Sequence, residues 1–265
     1  MEICMKKVVA ARVAFLIAGG VIALSIAGPE LLTKIQDKAM LGEIHSIVAG
    51  EEGEGFRYTL SPGEKLYILS SGLSSIRIPE SEPYTRTYSF VANRTGQTEE
   101  ASSREQAFTA CNEELAKLKK LGILPEEIQP VSREEYDAAL YSAIDVLEPR
   151  NYVGVWNISL SNSYENRSKE NRLIDAYLGA EDGRLYEFYV RTSLTWEEIS
   201  PDAIVKAWAG YMELGEPILY ENANPLMEAT PYFKKYIFPG AEQEETIVTV
   251  GFYEGINELF LKISQ

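Results

Sequence analysis

The side chains able to do chemistry are few and scattered. His45 is the one histidine among 265 residues, which leaves Ser–His and Cys–His pairs and histidine-based metal sites almost nothing to work with. Its neighbours Glu43 and Ser46 make a solvated surface role simpler than a pH-sensing one. Glu197 and Glu198 beside Trp196 have the make-up of a glycosidase carboxylate held in an apolar pocket. Two acids just ahead of a helix starting at Ser200 equally suit that helix's positive end, and spacing pairs no second acid with them. Asp175, Asp182 and Glu187 form an acidic hairpin without the alternating Asp pattern of a calcium loop, so turn and strand-surface roles account for them. Gly50-Glu51-Glu52-Gly53-Glu54-Gly55 is acidic and would repel a phosphate. No catalytic residue, cofactor site or metal ligand is assigned, and the chain is read as a binding protein, not an enzyme. The contact candidates are Tyr232, Phe233, Lys234, Lys235 and Tyr236, in an aromatic, locally basic run between Pro231 and Pro239. That run either fills a core or forms a partner-binding patch, since Tyr and Phe give contact area at low entropy cost.

Where these residues work depends on the N-terminus. Val13 to Gly28 carries no ionisable side chain, and with Val8 to Ala11 it gives roughly the 20 residues a membrane-spanning helix needs. Arg12, near one end, can snorkel. Lys6, Lys7 and Arg12 favour a cytoplasmic N-terminus, which places everything beyond about Lys34 outside a bacterial cell membrane. Membrane contact is assigned to residues 13–32. Ser25 and Ala27 also satisfy a signal-peptidase site, so the alternative is a cleaved, secreted ligand-binding protein. A net charge of −15 argues against nucleic acid, whose backbone needs neutralising Lys and Arg. Cys4 and Cys111 fall on opposite sides of the expected membrane, leaving no intramolecular disulfide and making Cys111 a core residue.

Periodicity supplies the elements. Leu31 to Gly50 reads as a helical stalk, and Gly50 to Gly55 as a flexible acidic linker. Ser61-Pro62-Gly63-Glu64 carries a capping box and a first-turn proline, which predicts a helix over Pro62 to Ser70. Tyr84 to Val91 is rich in strand formers. Ser102-Ser103-Arg104-Glu105 opens a helix with the stripe Ala107, Phe108, Cys111, Leu115 and Leu118, closed by Leu121-Gly122. Ser132 to Leu147 reads as another helix, with Tyr136, Leu140 and Ile144 inward and Pro149 as its stop. Strand-like runs follow at Tyr152 to Ser161, Arg172 to Leu178 and Arg184 to Arg191. Polar residues Asn162 to Asn171 make a loop, and Asp182-Gly183 makes a turn whose two residues both need positive φ. Ser200-Pro201-Asp202 starts a helix with stripe Ile204, Ala207, Trp208, Tyr211 and Leu214, closed by Gly215. Thr246 to Glu254 and Ile256 to Ser264 are two strands around Gly255.

The order of helix, connector and strands thus occurs twice, which suggests a degenerate internal repeat. Leu121-Gly122, the strand Val155 to Leu160, Ile174-Asp175-Ala176 and the Asp182-Gly183-Arg184-Leu185 hairpin resemble the PepSY-type modules of bacterial extracytoplasmic proteins. Tyr177 to Glu181 lengthens the interval between the Asp-Ala pair and the turn glycine, and Ser200 to Ser264 keeps the order without that pair. An anchor followed by tandem modules is also similar to the accessory regulators that sit beside sensor kinases in Gram-positive bacteria. The resemblance covers about residues 102–265 and implies protein contact or inhibition, not chemistry.

The expected fold class is α+β: an N-terminal transmembrane helix followed by tandem helix-plus-antiparallel-sheet modules. The divisions are 1–34 for the tail and anchor, 35–55 for the stalk and linker, 56–192 for the first module and 193–265 for the second. The expected activity is recognition of an envelope or membrane protein. A carboxylate-based glycan hydrolase is the contrasting class.

Overall fold

The computed structural model describes residues 60–77, 87–93, 97–162, 170–221, 228–240 and 244–265. The anchor segment, the stalk, the acidic linker, Cys4 and His45 lie outside these residues, as do positions 84–86 of the first expected strand and 163–169 of the polar loop. Among the described residues no helix is long and apolar enough to cross a membrane.

Three helices and one antiparallel sheet of nine strands make up the described fold. Helix α1 spans Pro62–Arg77. Its capping box closes as the sequence predicts: the Ser61 amide donates to Glu64 Oε2 at 2.7 Å and the Glu64 amide to Ser61 Oγ at 3.3 Å. Strand β1 (Tyr88–Ala92) follows, then α2 (Gln97–Lys120), which begins earlier than Ser102. Gly122 ends the α2 region at φ 69°, a left-handed conformation that glycine takes without a Cβ clash. Leu115, Leu118 and Cys111 of α2 are buried.

Residues 132–147 depart from the expected helix. They form strand β2, Tyr136–Asp145, paired to β3 (Tyr152–Leu160) over nine positions and to β1 over five. Tyr136, Leu140 and Ile144 step by four, and a step of four returns to the same face in a strand of period two as well as in a helix. Strands β4 (Arg172–Gly179) and β5 (Leu185–Arg191) continue the meander. The β4–β5 loop is longer than the two-residue turn expected. Of its Asp-Gly pair only Gly183 has positive φ, at 66°. Gly179 N–H donates to the Arg184 carbonyl at 2.8 Å, and the Asp182 carboxylate accepts from the Arg184 amide at 3.1 Å.

Helix α3, Pro201–Tyr211, follows a capped 3-10 turn at Trp196–Glu198. It ends ahead of Gly215, and the left-handed residue beyond it is Glu213, at φ 59°. Arg184 offsets that departure from glycine by donating to the Met212 carbonyl at 3.0 Å and pairing with Glu213 at 2.5 Å. Strands β6 (Ile218–Leu219), β7 (Phe233–Pro239), β8 (Glu245–Tyr253) and β9 (Glu258–Ser264) complete the chain. In the β8–β9 connection Asn257, at φ 50°, takes the left-handed position, not Gly255.

The strand order β1-β2-β3-β4-β5-β9-β8-β7-β6 joins two stretches. Each is a helix followed by four consecutive antiparallel strands: α2 with β2 to β5, and α3 with β6 to β9. Their last strands, β5 and β9, meet in the middle. Residues assigned to both expected modules therefore share one sheet, within one compact unit running from Tyr58 to Gln265. Helices α2 and α3 pack on the same face, linked by the Tyr211 hydroxyl donating to Glu114 at 2.6 Å. Beneath them lie Ile158, Ala176, Leu178, Phe188, Val190, Leu261, Val248 and Val250, all buried. Trp208 of α3 is fully enclosed, its ring edge-on to Phe238 and its Nε1 donating to the Leu185 carbonyl at 3.1 Å. Helix α1 lies on the opposite face. There a Cβ on Gly72 would meet the Cβ of Ala143 at 2.8 Å, so glycine is what allows the helix backbone this close to the strand.

Candidate functional site

Cross-strand register sorts every sheet residue to one face or the other. On the α1 face, β4 contributes Asp175 and Tyr177, β5 Glu187, Tyr189 and Arg191, β9 Glu258, Phe260 and Lys262, β8 Gly251 and Tyr253, and β7 Phe233 and Lys235. One row runs unbroken from Asp175 through Tyr189, Phe260 and Gly251 to Phe233. Tyr189 stacks on Phe260 at 5.6 Å, and Phe260 on Tyr253 at 4.8 Å. Nearer the β1 edge, Phe90 stacks on Tyr141 at 5.0 Å and meets Tyr177 edge-on at 5.9 Å. Tyr141, Tyr177, Tyr189, Tyr253 and Phe233 are half-buried, so their rings rest on the sheet while part of each meets solvent. Gly251 makes the centre of the row possible, because the Phe260 ring lies over its Cα where a Cβ would stand only 2.4 Å from Cζ.

Charges alternate across this face. Glu187 is fully buried, and its carboxylate accepts from Arg77 Nη2 at 2.5 Å and from the Ile263 amide at 3.0 Å. Burial pushes the Glu187 carboxyl above its ordinary range against the opposing pull of the guanidinium and the amide. Arg77 keeps its proton, and its guanidinium and the Ile263 amide both favour the ionised carboxylate against that burial. Burial likewise raises Asp175, against the bond from Asn157 Nδ2 at 2.6 Å. It raises Glu258 too, and it lowers Lys262. Glu187 is thus an interior anchor and not the strand-surface acid that the sequence suggests.

The five contact candidates separate by face. Tyr236 is a core residue on the α3 side, with its hydroxyl donating to Asp202 at 2.7 Å, so it is corrected from a contact position to a packing one. Lys234 points the same way and pairs with Asp202 at 2.6 Å. Alternation of the strand brings Phe233 and Lys235 to the aromatic face, where Lys235 pairs with Glu228 and lies over the Phe233 ring at 5.9 Å. Tyr232 sits just before the strand, 6.1 Å from the Trp196 ring. It shares with Tyr253, Pro231, Glu254 and Ile256 an open groove of about 450 Å³ at one end of that face. Tyr177, Tyr189, Phe260 and Tyr253 were not singled out in the sequence, where each is one aromatic residue in an ordinary strand run. The available signal is Gly251 inside a strand rich in β-branched and aromatic residues, which marks a ring or backbone in close approach.

Of the carboxylates considered for hydrolysis Glu198 has a structural partner, as does the hairpin acid Asp182. Glu198 caps the 3-10 turn, accepting from the Thr195 amide at 2.9 Å and hydroxyl at 3.0 Å. Those bonds hold it below the usual carboxylate range, opposite to the raised acid that glycoside cleavage requires. Asp182 accepts from the Tyr186 hydroxyl at 2.7 Å. Cys111 is buried, and desolvation pushes its thiol up to about 12, which leaves it unreactive. Among the described residues no group of three His, Cys, Asp or Glu side chains is placed to hold a metal.

Comparison with protein-family models, with curated proteins and with solved structures finds no match. The site therefore has to be read from its own geometry.

Proposed function

We propose that this chain is a membrane-anchored extracytoplasmic protein that binds another envelope or membrane protein through the tyrosine-lined face of its sheet. The anchor is the apolar segment at residues 13–32. The two helix-and-meander stretches are degenerate PepSY-like modules fused through β5 and β9, and the partner is a membrane protein such as a sensor kinase. The observation that carries the reading is the row Asp175, Tyr189, Phe260 and Phe233 across strands of both stretches. Half-buried Tyr189 and Phe233 on either side of the buried Phe260 have the composition of an interface centre, where Tyr and Phe are enriched and area comes at little entropy cost. Fusing the two meanders gives this face more width than either could offer alone.

The test is site-specific photocrosslinking in intact cells, with a photoreactive phenylalanine analogue at Phe233 or Tyr253 and, as control, at Leu147, an exposed position on the β2–β3 hairpin. The reading expects one discrete envelope-protein adduct from the two face positions and none from Leu147. Equal labelling from all three positions, or none from the face, would overturn it.

A further inference from the structure

We propose that α1 is a strap across the junction of the two meanders, and that release of its C-terminal end at Arg77 loosens the β5–β9 seam and alters the aromatic face. The proposal rests on the binding role given to that face and adds how it is controlled.

The seam is thinly bonded. Strands β5 and β9 pair over four positions, Phe188 to Arg191 against Leu261 to Glu258, while β8 and β9 pair over seven and β2 and β3 over nine. Apart from the terminal β6–β7 pair, it is the shortest ladder in the sheet. Beyond Leu261, side chains take over from the backbone. The Ile263 amide donates to Glu187 Oε2 at 3.0 Å, and the Ile263 carbonyl accepts from Arg77 Nη1 at 3.0 Å. One guanidinium from α1 thus completes the hydrogen bonding between the two halves of the sheet.

Helix α1 touches both halves, and it does so differently. It buries Leu66, Leu69 and Leu73 and presses Gly72 on Ala143 of β2. Toward β8 and β9 it adds hydroxyl contacts to the Arg77 bonds: Ser70 Oγ lies 3.4 Å from Thr246 Oγ1 and accepts from Gln265 Nε2 at 2.8 Å, and Ser74 Oγ accepts from the Gln265 amide at 3.2 Å. The close approach at Gly72 holds the helix to β2, whereas the hydroxyl contacts at the second half can exchange their partners for water at small net cost. Arg77 also stands close enough to Asp175, Tyr177 and Tyr189 to act on their ionisation. Its departure would remove a positive charge from the recognition face while opening the seam beside it.

Hydrogen exchange on the full-length chain tests this without needing a partner. In Arg77→Met, amides in peptides covering 186–191 and 258–264 are expected to exchange at least about tenfold faster, with those of β2 and β3 unchanged. Because Arg77→Met strands a buried carboxylate and can unfold the protein, the pair Arg77→Met/Glu187→Leu serves as a second variant; replacing a buried pair by apolar side chains commonly preserves folding. It is expected to show the same seam-limited acceleration. A disulfide joining Ser74→Cys to Gln265→Cys, in a background lacking Cys4, is expected to restore protection to the Arg77→Met/Glu187→Leu protein when oxidised and to lose it when reduced. Seam exchange unchanged in the double variant, acceleration spread evenly over all strands, or no protection from the disulfide would each overturn the strap. A failed crosslinking experiment would bear on the face alone, since exchange at the seam is read with no partner present.

Discussion

Substituting Gly251 by alanine puts the aromatic row under direct strain. The new Cβ would stand 2.4 Å from Phe260 Cζ and 2.9 Å from Cε1, where carbon atoms prefer about 3.5 Å or more. The ring must therefore retreat by roughly 1 Å. It cannot do so freely, because Tyr189 and Tyr253 stack on it at 5.6 and 4.8 Å and the residue is 4% exposed. Overpacking of this kind costs about 1–3 kcal/mol, and the reduced freedom of the unfolded chain returns about 0.5–1 kcal/mol. The net expectation is a loss of about 1–2 kcal/mol, read as a lower urea midpoint with an unchanged slope. Near-ultraviolet circular dichroism should change as the tyrosines move, and crosslinking from Tyr253 should fall. Gly210→Ala is the matched control: Gly210 is exposed near the end of α3, and nothing lies within 4 Å of the added Cβ. It should raise stability by about 1 kcal/mol. If the two substitutions shift the midpoint in the same direction, or Gly251→Ala leaves the tyrosine signals untouched, the account of the row is wrong.

Other parts of the molecule give further expectations. With Cys4 replaced by serine, Cys111 should react with thiol reagents only as the protein unfolds, since burial pushes its thiol up to about 12; prompt labelling of the native protein would contradict its place in the core. The bonds from Lys234 and Tyr236 hold the Asp202 carboxyl below its ordinary value, so its stabilising contribution is complete above the unfolded carboxyl pKa, about 4, and is lost as pH falls through the lower folded value. Asp202→Asn should therefore flatten the stability profile on that acid side and nowhere else, as followed by urea midpoints across pH. Tyr236→Phe removes a part-buried hydroxyl bond of 2.7 Å and should cost about 1 kcal/mol while leaving the crosslinked adduct intact; loss of the adduct would return Tyr236 to the contact surface. Washed membranes should retain the protein with its N-terminus uncleaved, and a mature chain beginning at Gly28 would remove the anchor.

Legibility followed the range of the interactions. Ser61 and Glu64 announce α1 because a capping box is complete within four residues, and Leu121-Gly122 announces the end of α2 for the same reason. The runs at 152–161, 172–178 and 246–264 are strands because β-branched and aromatic residues fit a pleated surface wherever it lies. The misreading at 132–147 has a definite cause: Tyr136, Leu140 and Ile144 obey both periods at once. Ala138 and Ser142, buried on the same face, are too small or too polar to declare the alternation. Glu213 and Asn257 show a related limit. Gly215 and Gly255 are the nearby glycines, but Arg184 at one position and the asparagine's own tolerance at the other allow non-glycine residues to take the left-handed conformation there.

The functional face is less legible than the elements, and Glu187 shows why. By its neighbours it is one acid in an alternating strand, and alternation alone assigns such an acid to solvent. What reverses that assignment is Arg77, 110 residues earlier, together with a ladder that ends at Phe188 and Leu261, two positions short of Ile263. Neither fact has a local signature, since both depend on β5 meeting β9 and not on anything either strand contains. The tyrosine row has the same origin: Asp175, Tyr189, Phe260 and Phe233 become neighbours only through pairings between separate stretches of chain. A sequence pattern specifies which residues share a strand face, while long-range register decides which faces join. Half-buried aromatics on both sides of the seam would make the proposed recognition depend on the seam staying closed, so in that proposal Arg77 bears on the face although it need not touch the partner.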